Sequence, residues 1–282
     1  MSDLSYIDRN LAALREELAR AAGGSFTETA GGIALAAESG TPTPGCPLVV
    51  AAVKYALPEE LEHLLALGQL TVGENRVQQL KAHYGVLAAH GAHIHFIGKL
   101  QTNKVKDIID KTELIHSVDS LHLAREIDRR AAAVPRVADI LIEINAAGER
   151  TKSGIGPAGA AELAREVLAL SHLRLRGFMT MGPRMENEND YRAYFRSVRE
   201  LGVRIWRELA LPGEPLFSMG MSRSAGAAAK EGADLIRVGR RLFEGRPGGL
   251  SQTPENENEK NKIQNIQNGG TENEIPFRQE EH

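Results

Sequence analysis

The chain has 282 residues, of which 42% are hydrophobic and 25% charged, and its formal net charge is -3; these values are ordinary for a globular protein with one large or two small domains. The near balance of charge gives no basic surface for nucleic acid, and the single cysteine excludes an intrachain disulfide and a cysteine-based zinc site. No apolar run approaches the roughly 20 residues that span a membrane, so we expect a cytoplasmic protein.

The two ends of the chain differ from the middle. The pattern "SDLSYIDRNLAALREELARAA" predicts a helix near Asp3 to Ala22. Residues 23–46 are rich in Gly, Thr, Ser and Pro, which predicts a flexible insertion. Residues 251–282 are dominated by Glu, Asn, Gln and Lys and carry too little apolar surface to fold alone. We expect one domain over residues 1–250 and a disordered tail over 251–282.

From residue 48 onwards, eight β-rich runs alternate with helical patterns. The runs are "LVVAAVK", "LTVGEN", "HIHFIG", "LIHSVD", "ADILIEIN", "LRLRGFMTMG", "PLFSMG" and "LIRVG". Helical periodicity follows over 58–67, 76–89, 120–133, 157–171, 190–209 and 222–231. Strict alternation indicates a parallel sheet, and eight units predict a single closed (β/α)₈ TIM barrel. The second and seventh runs are short, and an open doubly wound sheet is the alternative.

The first strand, within "PLVVAAVKYALPEE", stops on Lys54. In a barrel the active site lies at the carboxyl ends of the strands, where this lysine would stand. A partly desolvated lysine has a lowered pKa, and its neutral amine can attack an aldehyde to form an imine (Schiff base). The alternative is a lysine that extends to solvent from the strand end.

The last two strands end in patterns typical of a phosphate site. "SMGMSRSAG" places Gly220, Ser222 and Ser224 where a strand turns into a helix, and "RVGRR" places Gly239 beside Arg240. The loops after strands seven and eight form the recurrent phosphate site of TIM barrels, although serine and glycine are also common helix starters. Pyridoxal phosphate is a cofactor that combines an aldehyde with a phosphate.

Arg237 precedes Gly239 by two residues and therefore lies on the same face of the last strand. An arginine only donates hydrogen bonds, so it would keep a facing pyridine nitrogen unprotonated. The alternative for Arg237 is an ion pair with an acid such as Glu143.

Two other groups of residues favour structural roles. His93 and His95 share a strand face but lack a recognisable third metal ligand. The lysines between the third and fourth strands predict a solvated helix face: Lys99, Lys104, Lys106 and Lys111.

Eight motifs resemble, in order, those of the YggS/PROSC family of pyridoxal phosphate homeostasis proteins. They are "AAVKY", "GENRVQQL", "HFIGKLQTNK", "IHSVDS", "INAAGERTKSGI", "LRGFMTMGP", "FSMGMS" and "IRVGRRLFEG". The resemblance implies a barrel similar to the alanine racemase N-terminal domain, with Lys54 as the imine-forming lysine. Ser222, Gly239 and Arg240 would contact the phosphate, the last through its backbone amide, and Arg237 would face the pyridine nitrogen. Three more residues would line the pocket: Asn75, Met219 and Asn103.

The chain departs from this family's usual pattern in three places. Tyr55 follows the lysine where threonine is common. Arg223 and Ser224 stand where an acidic residue is usual. Arg240 and Arg241, in "GRR", replace a more common Gly-Thr pattern, which would exchange a hydroxyl contact to the phosphate for a cationic one.

The function expected from the resemblance is binding, buffering and delivery of pyridoxal 5′-phosphate, with little or no turnover. Two-base racemisation needs a second acid/base, which alanine racemase takes from an additional domain, and the residues after Gly245 do not resemble one. A weak amino-acid racemase or lyase, and a cofactor-free sugar-phosphate aldolase, are the alternatives. We expect a monomer that meets cofactor-requiring apoenzymes transiently and contacts neither nucleic acid nor membrane.

Overall fold

The computed structural model describes residues 3–23, 47–149 and 153–249. Almost all of the expected flexible insertion, and the whole of the expected disordered tail, lie outside these residues. The predicted N-terminal helix and all eight predicted strands lie within them.

Eight parallel strands close into a barrel in sequence order, β1 through β8, with β8 pairing back to β1. The strands are β1 Leu48–Ala52, β2 Thr71–Glu74, β3 His93–Phe96, β4 Leu114–Val118, β5 Ala138–Glu143, β6 Leu173–Met179, β7 Leu216–Ser218 and β8 Leu235–Val238. The predicted barrel is therefore confirmed, and the open sheet is excluded. The two short runs do form strands, of four and three residues.

Seven α-helices surround the barrel within the described residues. They are α1 Ser5–Ala22, α2 Pro58–Ala66, α3 Val77–Ala89, α4 Leu121–Ala133, α5 Pro157–Leu168, α6 Glu188–Glu208 and α7 Ala225–Lys230. The helical patterns in the sequence predict α2 to α7 to within three residues at each end. None of these helices is both long enough and apolar enough to cross a membrane.

No α-helix connects β3 to β4; the connection contains the short 3₁₀ helix Thr102–Asp107. The prediction that four lysines lie on one face of a helix is therefore wrong, because only Lys104 and Lys106 belong to this 3₁₀ helix. Lys111 pairs with Asp110 at 2.7 Å, and Asp107 pairs at the same distance with Lys81 of α3.

The strands are mostly apolar because nearly all of their residues are buried on one face or the other. One set of side chains fills the barrel interior, including Val50, Leu114, Leu141, Met179 and Leu235. The alternate set packs outward against the helices in a second, larger cluster. Polar residues inside the barrel occur near the carboxyl ends of the strands.

Helix α1 takes the position that the helix after β8 would occupy. It packs against α7 and against the 3₁₀ helix Arg240–Phe243 that follows β8. Asn10 donates hydrogen bonds to the carbonyls of Leu242, at 3.2 Å, and Glu244, at 2.8 Å. The N-terminal helix thus completes the outer layer of the barrel next to β1 and β8.

Candidate functional site

Lys54 lies at the carboxyl mouth of the barrel, in the 3₁₀ helix Val53–Tyr55 that directly follows β1. The sequence predicts a first strand that ends at Lys54, but β1 ends two residues earlier, at Ala52. The side chain is half-buried, and the Lys54 carbonyl accepts a hydrogen bond from Gln79 of α3 at 3.1 Å. One hydrogen bond therefore holds the backbone of this lysine, and the residue is partly exposed.

The loop after β7 forms a tight turn around Ser222. The Ser224 hydroxyl accepts a hydrogen bond from the Met221 amide at 3.1 Å, and the Ser224 amide donates to the Met221 carbonyl at 2.9 Å. Gly220 has a φ of 88°, and a Cβ there would lie 2.5 Å from the Cβ of Ala228. Within the described residues the Ser222 hydroxyl has no hydrogen-bond partner. Ser224 holds the turn, so the hydroxyl available to a ligand is that of Ser222.

The loop after β8 comes close to the loop that carries Lys54. A Cβ on Gly239 would lie 2.9 Å from the carbonyl oxygen of Ala52 and 3.7 Å from the Cδ2 of Tyr55. Only glycine allows this approach, since a real Cβ essentially never comes so near a backbone oxygen. Because β7 and β8 are neighbours, the turn at Ser222 also lies at this side of the mouth.

The two arginines after Gly239 contact side chains of the protein. Arg241 pairs with Glu17 of α1 at 2.6 Å. The Arg240 side chain is exposed and approaches the Tyr55 hydroxyl. Both side chains are therefore engaged within the protein and do not replace the hydroxyl that contacts phosphate in the usual family pattern. The Arg240 backbone amide lies next to Gly239.

Arg237 lies inside the barrel and is 5% exposed. Its guanidinium donates to the Ser218 hydroxyl at 2.5 Å and to the Thr180 carbonyl at 2.8 Å. Burial lowers the pKa of Arg237 to about 10, and the charge of Glu143 opposes that shift. The alternative of a direct ion pair with Glu143 is not what the structure contains: Glu143 instead accepts a hydrogen bond from Ser153 at 2.8 Å. Arg237 stays a cation at neutral pH and can only donate hydrogen bonds.

Two buried histidines continue the hydrogen bonds of Arg237 across the barrel. His116 Nδ1 lies 2.9 Å from the Ser218 hydroxyl, and His116 Nε2 lies 3.0 Å from His95 Nδ1. Burial lowers the pKa of His95 to about 3 and that of His116 well below its usual value. Both imidazoles are therefore neutral at ordinary pH. One set of donors satisfies every link: Arg237 to Ser218, Ser218 to His116, and His116 to His95.

His95 thus has the structural role that the sequence favours, and it contacts His116 instead of His93. His93 pairs with Glu113 at 3.0 Å, away from the His95 imidazole, which contacts His116. Within the described ranges no group of three or more ligating side chains could hold a metal ion.

Glu143, the last residue of β5, is 2% exposed and faces the same interior. Burial raises the pKa of its carboxyl, while the hydrogen bond from Ser153 and the charge of Arg237 oppose that change. The mouth therefore holds a buried carboxyl and a buried guanidinium that influence each other through charge.

The three other predicted pocket residues are placed differently from one another. Asn75 follows β2, and its Oδ1 is buried without a hydrogen-bond partner in the described part of the chain. Met219 is 1% exposed and packs in the cluster between barrel and helices, so only its backbone faces the mouth. Asn103 is exposed on the 3₁₀ helix after β3.

These residues fit a phosphorylated aldehyde with an aromatic ring nitrogen. The fit rests on the half-buried amine of Lys54, the turn at Ser222 beside the backbone at Gly239, the unsatisfied Asn75 oxygen, and the guanidinium of Arg237. Each offers a different chemical group, and the closed barrel places all of them at one mouth.

Sequence reasoning missed the links that orient Arg237. His116 of β4 and Ser218 of β7 are polar residues at positions that face the barrel interior. That pattern was available as a signal, because a lone polar residue on a buried face needs a partner. Which partner it finds depends on strand closure across the barrel.

Comparison with known proteins agrees with this geometry. Residues 47–247 match the family described as alanine racemase, N-terminal domain. A pyridoxal phosphate homeostasis protein of Aquifex aeolicus is 42% identical over 200 residues, which cover 70% of this chain and 86% of the relative. One of Escherichia coli K12 is 36% identical over 181 residues, covering 62% and 76% respectively.

Solved structures give the same assignment. PipY of Synechococcus elongatus, determined with PLP bound, has a TM-score of 0.69 and 27% identity, covering 84% of this chain and 99% of PipY. A lysine/ornithine decarboxylase of Vibrio vulnificus shares the fold, with a TM-score of 0.60 and 13% identity, over 85% of this chain and 62% of the decarboxylase. The chain belongs to the pyridoxal phosphate homeostasis protein family, and its barrel to the alanine racemase N-terminal domain family.

Proposed function

We propose that this chain binds pyridoxal 5′-phosphate through a covalent bond to Lys54 and acts in the homeostasis of that cofactor by holding and releasing it. The observation that carries the proposal is the convergence of a half-buried lysine, a turn with a free serine hydroxyl and a buried arginine at one barrel mouth. The homeostasis names of relatives at 34–42% identity and the PLP-bound structure of PipY support it.

Each residue has a separate part in binding. Lys54 supplies the amine that bonds to the aldehyde carbon. The Ser222 hydroxyl and the backbone amides near Gly239 and Arg240 receive the phosphate, since several amide groups converging on one point form an anion site. Asn75 offers its amide to the edge of the ring, and Met219 contributes its backbone.

Arg237 determines the electronic state of the bound ring. When bound, the cofactor supplies an electrophilic aldehyde and an electron-withdrawing pyridine ring. The guanidinium would donate a hydrogen bond to the ring nitrogen and cannot accept one, so it would keep that nitrogen unprotonated. An unprotonated ring would withdraw electrons less strongly and would stabilise negative charge on a substrate carbon less.

Absence of turnover is the finer part of the proposal. Support comes from the homeostasis names of the relatives. We further expect a monomer that hands the cofactor to apoenzymes in transient contacts.

The test of binding is the absorbance spectrum of the purified chain titrated with pyridoxal phosphate. Wild-type protein should develop the visible band of the lysine-bound cofactor, and Lys54→Ala should not, although it should keep the far-ultraviolet circular dichroism of the fold. Lys99→Ala is the control, because it removes an exposed lysine from the loop after β3, and it should retain the band. A wild-type protein without the band, or a Lys54→Ala protein with it, contradicts the proposal.

Turnover is measured separately, by exchange of the α-protons of a panel of amino acids into deuterated water. The proposal predicts exchange far below the roughly 1 per second typical of slow enzymes. Exchange at or above that rate would identify a racemase or lyase instead.

A further inference from the structure

Tyr55, the residue after Lys54, lies beside the reactive amine. The Nζ of Lys54 is 4.7 Å from the centroid of the Tyr55 ring. The Tyr55 ring lies beside Gly239, where a Cβ would be 3.7 Å from its Cδ2 atom, an ordinary van der Waals contact. The Arg240 side chain then reaches the Tyr55 hydroxyl. Two departures from the usual family pattern, Tyr55 and Arg240, thus contact each other at the site.

The charged groups around Tyr55 come from three elements. Lys54 precedes it in the same 3₁₀ helix, Arg240 faces it from the loop after β8, and Arg246 donates a hydrogen bond to its carbonyl. Arg246 is itself neutralised by Glu60 of α2 at 2.5 Å. Neither Lys54 nor Arg240 has an ion-pair partner among the described residues, so two cations act on the phenol. Burial alone would raise the pKa of Tyr55, but Lys54 and Arg240 outweigh burial and lower it.

We propose that the phenolate form of Tyr55 accepts the proton that the Lys54 ammonium must lose before its nitrogen can attack the aldehyde, and that Arg240 stabilises this phenolate. This inference rests on the proposed function. The Lys54 N–H bond breaks and the Tyr55 O–H bond forms. The freed nitrogen lone pair forms the bond to the aldehyde carbon, and the aldehyde oxygen leaves as water after taking up two protons, one from the nitrogen and one from Tyr55.

The same groups act in the reverse direction, because hydrolysis of the bond passes through the same transition states. Tyr55 then takes a proton from the attacking water and returns one to the lysine nitrogen. A tyrosine in this position accelerates both uptake and release without changing the equilibrium between them. That behaviour suits a protein that exchanges its cofactor.

The test is the rate of band formation after rapid mixing with pyridoxal phosphate, measured as a function of pH. Tyr55→Phe should slow the approach to the bound state by about tenfold or more at neutral pH, since general acid–base groups contribute factors of that order or larger. The final absorbance at saturating cofactor should be unchanged. Arg240→Gln should move the pH profile of the rate to higher pH.

Tyr84→Phe is the matched control. The ring of Tyr84 lies 5.4 Å from the Nζ of Lys111 on the outer surface, so the variant removes the same hydroxyl beside a different lysine. It should take up the cofactor at the wild-type rate. If Tyr55→Phe also keeps the wild-type rate and pH profile while the band forms normally, the role of Tyr55 is refuted and cofactor binding stands.

A second readout needs no cofactor. Ultraviolet titration of phenolate in the cofactor-free chain, compared between wild type and Tyr55→Phe, should reveal one tyrosine that ionises at lower pH than the others. In Arg240→Gln that tyrosine should ionise at higher pH. A Tyr55 that titrates together with the other tyrosines contradicts the inference, whether or not the cofactor binds.

Discussion

Ser218 joins the two halves of the buried hydrogen-bond chain, because its single hydroxyl contacts both Arg237 and His116. Both partners are almost completely buried. Removal of the hydroxyl leaves a charged donor and an imidazole nitrogen without water to replace it. The position of the guanidinium therefore depends on one oxygen atom.

We expect Ser218→Ala to lower the free energy of unfolding by about 1–3 kcal/mol for each buried group left unsatisfied. Denaturant unfolding of the cofactor-free chain measures this. Ser171→Ala makes the same chemical change at an exposed site and should stay within about 0.5 kcal/mol of wild type. Equal stability of the two variants would mean that the chain of hydrogen bonds contributes nothing to the fold.

At the scale of elements, three segments meet beneath the loop of Lys54 around the buried carboxylate of Glu60. Tyr6 of α1 donates its hydroxyl to it, and Arg246, after β8, contacts it through Nε at 2.7 Å. Glu60 also accepts from the Leu57 amide at 2.6 Å, which starts α2. Since Arg246 donates to the Tyr55 carbonyl as well, this cluster ties α1, α2 and the end of the domain to the lysine loop.

Glu60→Gln removes the charge and leaves the Arg246 cation buried, so the free energy of unfolding should fall by about 3–5 kcal/mol. Glu62→Gln, on the exposed side of the same helix, should change it by no more than about 0.5 kcal/mol. Replacing Arg246 by Met in the Glu60→Gln background should recover part of the loss, because the unpaired cation is then absent. If Glu60→Gln and the wild type unfolded at the same midpoint concentration of denaturant, the cluster would not stabilise the fold.

At the scale of the whole molecule, the sequence predicts the barrel well, because each strand is a short apolar run bounded by a turn and each helix repeats its apolar residues every three to four positions. It also places Lys54 and Gly239 at the mouth, since the carboxyl ends of all the strands in a parallel barrel meet there. These features depend on local pattern and on one rule of topology.

The remaining features depend on tertiary contacts that no local pattern contains. Met219 was expected to line the pocket, but strand alternation from Ser218 turns its side chain outward. The sequence predicts that Arg240 and Arg241 place positive charge near a phosphate. In the structure Arg240 approaches Tyr55, and Arg241 pairs with Glu17 of α1. The position of α1 over β8 and β1 is likewise fixed only when the barrel closes.

The central claim is that Lys54 is the residue that bonds to pyridoxal phosphate. The most direct measurement is borohydride reduction of the chain with its bound cofactor, followed by peptide mapping of the modified lysine. The account predicts one stable adduct, on the peptide that contains Lys54. An adduct on a different lysine, or none at all, would contradict it.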